Sequence, residues 1–127
     1  MIVLDASAAV DLVLGQAAAK RLGSVVSQHS EVHVPEHFHV EAISALRRLR
    51  LHGGLAEHAA QRALSALARL RAIRYPVLPL TDPIWSLRDQ LTAYDAAYLT
   101  LAARLDAGLL TTDSALASAA RRHGLLA

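Results

Sequence analysis

The start of the chain constrains the fold most, because the apolar run Ile2-Val3-Leu4 leads directly into Asp5. A short run that is apolar at every position predicts a strand buried on both faces, as in a parallel sheet. Helix-forming residues follow at once, so residues 2–14 predict a strand followed by a helix. In open parallel sheets, functional groups lie beyond the carboxyl ends of the central strands. Asp5 is therefore the first candidate for a functional carboxylate.

Short apolar segments alternate with helical segments along the rest of the chain. The predicted helices span residues 6–14, 17–28, 36–51, 56–73, 81–92, 95–105 and 113–123. The predicted strands span residues 2–4, 31–34, 75–80 and 109–111, and residues 125–126 are a candidate edge strand. Gly15 and Gly108 are expected to close helices, and Pro76 and Pro79 make the third strand irregular or an edge. The alternation predicts one α/β domain over residues 1–127, a three-layer sandwich with a mostly parallel central sheet of four to five strands.

Composition limits the class of protein. The 127 residues are 54% hydrophobic and include no cysteine, which excludes disulfides and thiolate metal sites. No apolar run approaches the roughly 18 residues that span a bilayer, and no targeting peptide is visible, so we expect a soluble cytoplasmic protein. A small chain this apolar favours a homodimer or a protein partner. Lys20 is the only lysine among 13 basic residues, so the other twelve are arginine, which suits phosphate binding.

Four acidic residues fall at positions that suggest one site. Asp5 and Asp113 each follow a predicted strand and precede a helix, which places both at the carboxyl edge of one sheet. Asp95 begins a helix, and Glu41 lies about 80° from the centre of its helix's apolar stripe, which predicts a half-buried carboxylate. Clustered carboxylates repel one another, and a divalent cation such as Mg²⁺ with oxygen ligands relieves that repulsion. A metal site is therefore indicated, although each aspartate also suits a helix N-cap, and that alternative stays open.

Several segments, in this order and spacing, carry a resemblance to a known family. They are Ile2-Val3-Leu4-Asp5-Ala6-Ser7, Val40-Glu41 with Ala45-Leu46, Leu91 to Leu99 with Leu101-Ala102, and Leu110-Thr111-Thr112-Asp113 with Leu116-Ala117. Together they resemble a PIN domain, and most closely the VapC toxins of bacterial type II toxin–antitoxin systems. The resemblance covers nearly the whole chain, and the block around Tyr94-Asp95-Ala96 is its most specific part.

The resemblance implies a ribonuclease that depends on Mg²⁺ or Mn²⁺ and has a four-acid centre. Carried over by position, that centre consists of Asp5, Glu41, Asp95 and Asp113. The aspartates are expected to hold metal directly or through water, and Glu41 to ligate metal or orient the attacking water. Ser7 and Thr111 match positions where a hydroxyl supports the acids, and Ser44 is a further supporting candidate that stands where many relatives have Asn.

The resemblance also implies partners. The substrate is RNA, with transfer RNA as the expectation at the level of the family. A VapB-type antitoxin is expected to cover apolar surface near the first helices and to occlude the acids.

Other side chains give weaker signals. Arg47, Arg48 and Arg88 are the candidates for RNA contact, with Arg48 nearest to Glu41 by helical angle and a solvated face as the alternative. His37 shares a helix face with Glu41, which suits a zinc pair, but we interpret His37 and His39 as surface residues. Three aromatic residues are predicted to lie in the core: Tyr94, Tyr98 and Trp85.

Two rival functions fit parts of the pattern. Asp5 suits the nucleophile of a haloacid-dehalogenase-type phosphatase, but such enzymes need a second Asp two residues later, where this chain has Ser7. A non-catalytic α/β interaction module whose acids only cap helices is the other. That module predicts loss of stability, and no loss of activity, when Asp5 is replaced by Asn.

Overall fold

A computed structural model describes all 127 residues and contains four strands and seven α-helices. The strands are β1 (Ile2–Leu4), β2 (Val32–Pro35), β3 (Ala72–Tyr75) and β4 (Gly108–Leu110). The helices are α1 (Ala6–Leu14), α2 (Ala19–Val26), α3 (Phe38–His52), α4 (Glu57–Arg69), α5 (Thr81–Ser86), α6 (Ala93–Leu105) and α7 (Ser114–Arg122).

The strands form one parallel sheet in the order β3-β2-β1-β4. The chain runs outward from β1 to β2 and β3 and then crosses back to place β4 on the other side of β1. In open parallel sheets, ligands bind beyond the carboxyl ends of strands at the point where the strand order reverses, which here is the edge at β1 and β4. Asp5 follows β1 and Thr111 follows β4, so both residues lie at this edge of the sheet.

The central strand is fully buried, as its apolar sequence predicts. Ile2, Val3 and Leu4 are at most 2% exposed. Helices α1 to α4 pack on one another, and α5 and α7 pack on α6, which itself contacts β1, β2 and β4. The predicted three-layer α/β sandwich with a parallel sheet is therefore confirmed, with four strands. None of the helices is both long and apolar enough to cross a membrane.

The third strand is the main correction to the predicted elements. The predicted helix over residues 56–73 ends at Arg69, and β3 begins at Ala72, before the prolines instead of across them. Its four residues pair with β2, and Pro76 and Pro79 cannot donate to a ladder, so pairing stops at Tyr75. The segment predicted as a strand instead forms a 3₁₀ turn at Leu78–Leu80. The edge position is as predicted.

Smaller differences concern helix ends and the carboxyl terminus. The helix predicted through residue 92 ends at Ser86, and α6 ends at Asp106 in the left-handed region (φ 51°) instead of at Gly108, which begins β4. The candidate strand at residues 125–126 amounts to one bridge between Leu126 and Leu109. Gly15 closes α1 with φ 68°, as predicted.

Candidate functional site

Asp5 is held at the end of β1 by two hydroxyl groups. Its carboxylate is buried, and its Oδ2 accepts hydrogen bonds from Ser7 Oγ at 2.5 Å and from Thr111 Oγ1 at 2.7 Å. The backbone also fixes this position, because the Asp5 N–H donates to the Leu110 carbonyl in the neighbouring strand. Burial raises the pKa of the Asp5 carboxyl, although the hydrogen bonds from Ser7 and Thr111 oppose the rise.

Thr111 joins two of the acids through one hydroxyl. Its Oγ1 donates to Asp5 and accepts the Asp113 N–H at 3.0 Å. The Asp113 side chain caps α7, because its Oδ2 accepts the Leu116 N–H at 2.8 Å. Capping is therefore observed for Asp113. It is not observed for Asp5, which stands at the N-cap position of α1 but makes no side-chain capping hydrogen bond.

Glu41 is positioned by two aromatic side chains of different kinds. Tyr98 is fully buried and donates from its hydroxyl to Glu41 Oε1 at 2.7 Å. His37 Nε2 lies 3.1 Å from the same oxygen and 3.2 Å from the Tyr94 carbonyl. Both of these oxygens are acceptors, so Nε2 carries the hydrogen. Burial raises the pKa of Glu41, but the hydrogen bonds from His37 and Tyr98 and the charges of His37 and Arg48 outweigh it and lower the pKa.

Asp95 has no capping role. The N-cap of α6 is Thr92, whose Oγ1 accepts the Asp95 N–H at 3.2 Å, so the Asp95 carboxylate is left for other partners. The pKa of Asp95 is raised to about 6. Burial is the largest cause of the rise, and repulsion from Asp113, Asp5 and Glu41 follows in that order. A carboxylate responds to its neighbours in this way only when they lie close. The structure therefore brings the four predicted acids to one place.

The donor set suits a hard divalent cation. The side-chain hydrogen bonds to Asp5 and Glu41 fall on one oxygen of each, Oδ2 and Oε1 respectively. No side-chain hydrogen bond reaches the other oxygen of either carboxylate, and carboxylate oxygens are the ligands that Mg²⁺ and Mn²⁺ prefer. No three of these side chains are spaced to hold one ion directly.

The remaining predicted residues divide between the site and the surface. Arg48 lines a cavity with Glu41. Ser44 lines the same cavity, but its hydroxyl accepts a hydrogen bond from Arg48 and contacts none of the acids. Arg47 lies in the groove between α3 and α4, and Arg88 stacks on the Trp85 ring at 5.0 Å. Arg47 and Arg88 are therefore not brought to the acids.

Sequence reasoning missed two roles near the acids and misplaced two aromatic residues. His37 was interpreted as a surface residue, but its side chain is only 15% exposed and bonds Glu41. Its i, i+4 spacing from Glu41 was the available signal. The prediction of Tyr98 as a core residue is confirmed. The apolar residues around it in the sequence give no sign that its hydroxyl bonds Glu41. Tyr94 and Trp85 were wrongly predicted as core, since they are 62% and 66% exposed.

Comparison with known proteins identifies the family of this chain. The PIN domain family matches residues 2–122. The chain is 41% identical over 113 residues to VapC ribonuclease Mb0985 of Mycobacterium bovis, covering 89% of this chain and 86% of that protein. It is 38% identical over 128 residues to ribonuclease VapC12 of Mycobacterium tuberculosis, covering 98% and 93%. Ribonucleases with a PIN domain generally depend on a divalent cation.

Solved structures agree on the fold. The crystal structure of PAE2754 from Pyrobaculum aerophilum matches with a TM-score of 0.69 at 24% identity, over 92% of this chain and 77% of that one. The Mycobacterium tuberculosis toxin VapC20, described as cleaving the sarcin–ricin loop, matches with a TM-score of 0.67 at 20% identity, over 94% and 95%. With the four acids gathered beyond β1 and β4, these matches lead to one conclusion. The chain belongs to the PIN-domain family and, within it, to the VapC ribonucleases.

Proposed function

We propose that this VapC ribonuclease hydrolyses RNA phosphodiester bonds at a Mg²⁺ or Mn²⁺ centre held by Asp5, Asp95 and Asp113, with Glu41 as the fourth catalytic acid. The catalytic domain in this proposal spans residues 1–127. The observation that carries it is geometric, because the Thr111 hydroxyl joins Asp5 to Asp113 at the carboxyl edge of the sheet. In support, burial and then repulsion from Asp113, Asp5 and Glu41 raise the pKa of Asp95 to about 6. Four negative groups this close are costly to ionise together, and a divalent cation compensates them.

The protein's own contribution is to fix the acids and leave oxygens for ligands. Ser7 and Thr111 occupy Oδ2 of Asp5, so Oδ1 is the oxygen offered to the cation. Tyr98 and His37 occupy Oε1 of Glu41, so Oε2 is offered to the attacking water. Because these hydrogen bonds lower the pKa of Glu41, the side chain is ionised at neutral pH and accepts a hydrogen bond from that water.

A divalent cation held by Asp5, Asp95 and Asp113 would supply the electrophilic part of the chemistry, because it would polarise the phosphate and make water a better nucleophile. The water oxygen attacks phosphorus and the P–O bond to the leaving oxygen breaks. One product keeps the phosphate, and the other receives the proton and ends in a hydroxyl. Arg48, in the same cavity as Glu41, is the proposed contact for an RNA phosphate.

Replacement of single acids tests this proposal. We expect Asp5→Asn and Asp95→Asn to keep the fold, measured by circular dichroism, and to lower cation-dependent cleavage of single-stranded RNA by at least about a hundredfold. The hyperfine spectrum of Mn²⁺ in electron paramagnetic resonance measures metal binding separately from catalysis. It should report weaker binding in both variants.

The matched control is Asp89→Asn, which removes an exposed carboxylate outside the cluster. We expect this variant to bind Mn²⁺ and cleave RNA like the parent chain. Two results would contradict the proposed site and would favour acids with a purely structural role. One is undiminished cleavage by Asp5→Asn, and the other is a less stable variant whose folded fraction keeps full specific activity.

The proposed partners follow from the family and from one surface. VapC toxins work with VapB antitoxins, and we propose that a VapB-type antitoxin binds this chain. Large exposed apolar side chains lie on α3, at Val40, Ile43 and Leu51. We place the antitoxin contact on that face, next to Glu41. Copurification with the antitoxin and loss of the complex in Ile43→Asp test this placement.

Three finer points complete the proposal. We propose that the free toxin is a homodimer, which sedimentation equilibrium over a range of concentrations tests. We propose cytoplasmic RNA as its target, with transfer RNA as the first substrate to assay. A fragment of the sarcin–ricin loop, the target named for VapC20, is the comparison substrate. If the chain cleaves that fragment in preference to transfer RNA, the sarcin–ricin loop becomes the proposed target.

A further inference from the structure

A cavity of about 340 Å³ opens directly beside the acid cluster. It is lined by Val40, Glu41, Ser44 and Arg48 of α3 and by Tyr94 of α6. One of the four acids is part of this wall, and a second, Asp95, is the next residue after Tyr94. The volume of the cavity lies at the lower end of the range for small-ligand pockets. A group bound here is therefore adjacent to Glu41.

The Tyr94 side chain is exposed where a core position was expected. It is 62% exposed, whereas residues 96–102 of the same helix are all buried. Its ring packs edge-on against His37, with centroids 5.8 Å apart and planes at 66°. His37 also contacts the Tyr94 carbonyl. These contacts hold the ring before any ligand binds, which lowers the entropic cost of using it as a binding surface.

The chemistry of the cavity matches an unpaired nucleobase. Tyr94 supplies an aromatic face for stacking, and Val40, 63% exposed, adds an apolar wall. Ser44 and Arg48 supply a hydroxyl and a guanidinium for the polar edge of a base or for the neighbouring phosphate. Bases in an RNA duplex are already stacked and offer no free face, whereas bases of single strands and loops stack on protein aromatics.

We propose that this cavity is a nucleobase subsite, in which Tyr94 stacks on the unpaired base of a nucleotide flanking the scissile phosphate. The inference rests on the proposed ribonuclease centre and adds to it a determinant of substrate choice. It makes single-stranded or looped RNA the preferred substrate. Tyr94 acts on substrate position, and the bond-breaking chemistry stays with the acids.

A double-mutant cycle between protein and RNA tests the subsite. The RNA is a cleavable single strand, intact or with one nucleotide made abasic, and the abasic position is moved along the strand. In the parent chain we expect one position at which loss of the base raises KM by about tenfold or more, with kcat little changed. Tyr94→Ala should raise KM for intact RNA by a similar factor and should be insensitive to loss of that base.

Two variants control the experiment. Tyr94→Phe keeps the ring and should retain KM within about twofold, because stacking needs no hydroxyl. Trp85→Ala removes an aromatic side chain of similar exposure on α5, away from the cavity, and should leave KM for both RNAs unchanged. Additive penalties from Tyr94→Ala and the abasic position, or a KM for Tyr94→Ala within twofold of the parent value, would overturn the subsite.

Failure of the subsite and failure of the ribonuclease proposal give different results. If the parent chain cleaves RNA and the cycle is additive, the ribonuclease centre stands and the subsite falls. If the parent chain cleaves no RNA, the centre falls. Fluorescence anisotropy on the same RNAs without divalent cation then completes the cycle from dissociation constants. Coupling between Tyr94 and one base supports the subsite in that case, and additivity overturns it.

Discussion

The two halves of the acid cluster are built in different ways. The strand half comprises Asp5 and Asp113 with their hydroxyl partners Ser7 and Thr111, all within a few residues of the carboxyl ends of β1 and β4. The helix half comprises Glu41 on α3 and Asp95 on α6, with the partners His37 and Tyr98. The first half is attached to neighbouring strands, and the second depends on individual side-chain contacts such as the Tyr98–Glu41 hydrogen bond.

This difference separates rigidity from access to substrate. The backbone ladder fixes the strand half, since Leu4 pairs with Leu110 and the next residue, Asp5, donates its N–H to the Leu110 carbonyl. Thr111, whose hydroxyl contacts both acids, is 6% exposed. The helix half opens on the cavity that Arg48 and Tyr94 line. We therefore expect changes in the strand half to affect stability and catalysis together, and changes in the helix half to affect mainly catalysis and substrate binding.

The largest combined effect is expected from Thr111→Val in the strand half. Valine has nearly the same shape, but it deprives buried Asp5 of a donor and the Asp113 N–H of its acceptor. We expect the free energy of unfolding to fall by about 1–3 kcal/mol and RNA cleavage to fall by more than about tenfold. Urea unfolding and a cleavage assay measure the two. Thr111→Ser keeps the hydroxyl and should recover most of both, and unchanged stability in Thr111→Val would break the comparison.

In the helix half, Tyr98→Phe should separate catalysis from stability. The ring stays in the core while Glu41 loses its 2.7 Å hydrogen bond, so we expect kcat/KM to fall by roughly tenfold and stability by about 1 kcal/mol. Tyr75→Phe is the matched control, because the Tyr75 hydroxyl bonds His33 Nδ1, also at 2.7 Å, outside the cluster. It should lose similar stability and no activity. Equal activity in the two variants would contradict a special role for Tyr98.

The same contrast explains how much the sequence could predict. The sequence predicts the positions of Asp5 and Asp113, because an apolar strand that ends in a carboxylate fixes position locally, and parallel strands align their ends. Ser7 and Thr111 follow only from the resemblance to the family. The sequence does not predict the partners of Glu41, because His37 and Tyr98 reach it through side-chain contacts, and the Tyr98–Glu41 bond spans 57 residues. Similarly, β3 was misplaced because its pairing with β2, and not its apolar spacing, decides where α4 ends.

The repulsion among the acids should appear in the stability of the metal-free protein. Because the pKa of Asp95 is about 6 in the fold and ordinarily 3.8, the fold favours the protonated form. This contribution is fully present below about pH 4 and is lost as the pH rises through 6. Asp95 is half-exposed and screened by solvent, so we expect a loss of about 1 kcal/mol between these pH values.

Thermal unfolding in EDTA at pH 4.5 and 7.5 measures this effect. Asp95→Asn should raise the pH 7.5 stability of the metal-free protein and flatten its pH dependence, and Mn²⁺ should restore stability to the parent chain at pH 7.5. Asp89→Asn, outside the cluster, should leave the pH dependence as it is in the parent chain. A metal-free protein whose stability rises from pH 4.5 to 7.5 in step with Asp95 ionisation would contradict crowding of the four acids.

The smallest effect distinguishes two neighbouring arginines of α3. Arg48 lines the cavity with Glu41, whereas Arg47 lies in the groove that faces α4. If the helix half contacts the substrate, Arg48→Ala removes one phosphate contact. The slope of log Kd against log salt concentration for single-stranded RNA should then fall by about 0.7. Arg47→Ala, an equal change in net charge, should leave the slope unchanged. Equal slopes in the two variants would mean that α3 attracts RNA only through its overall charge. The helix half would then not be the side of the cluster that contacts the substrate.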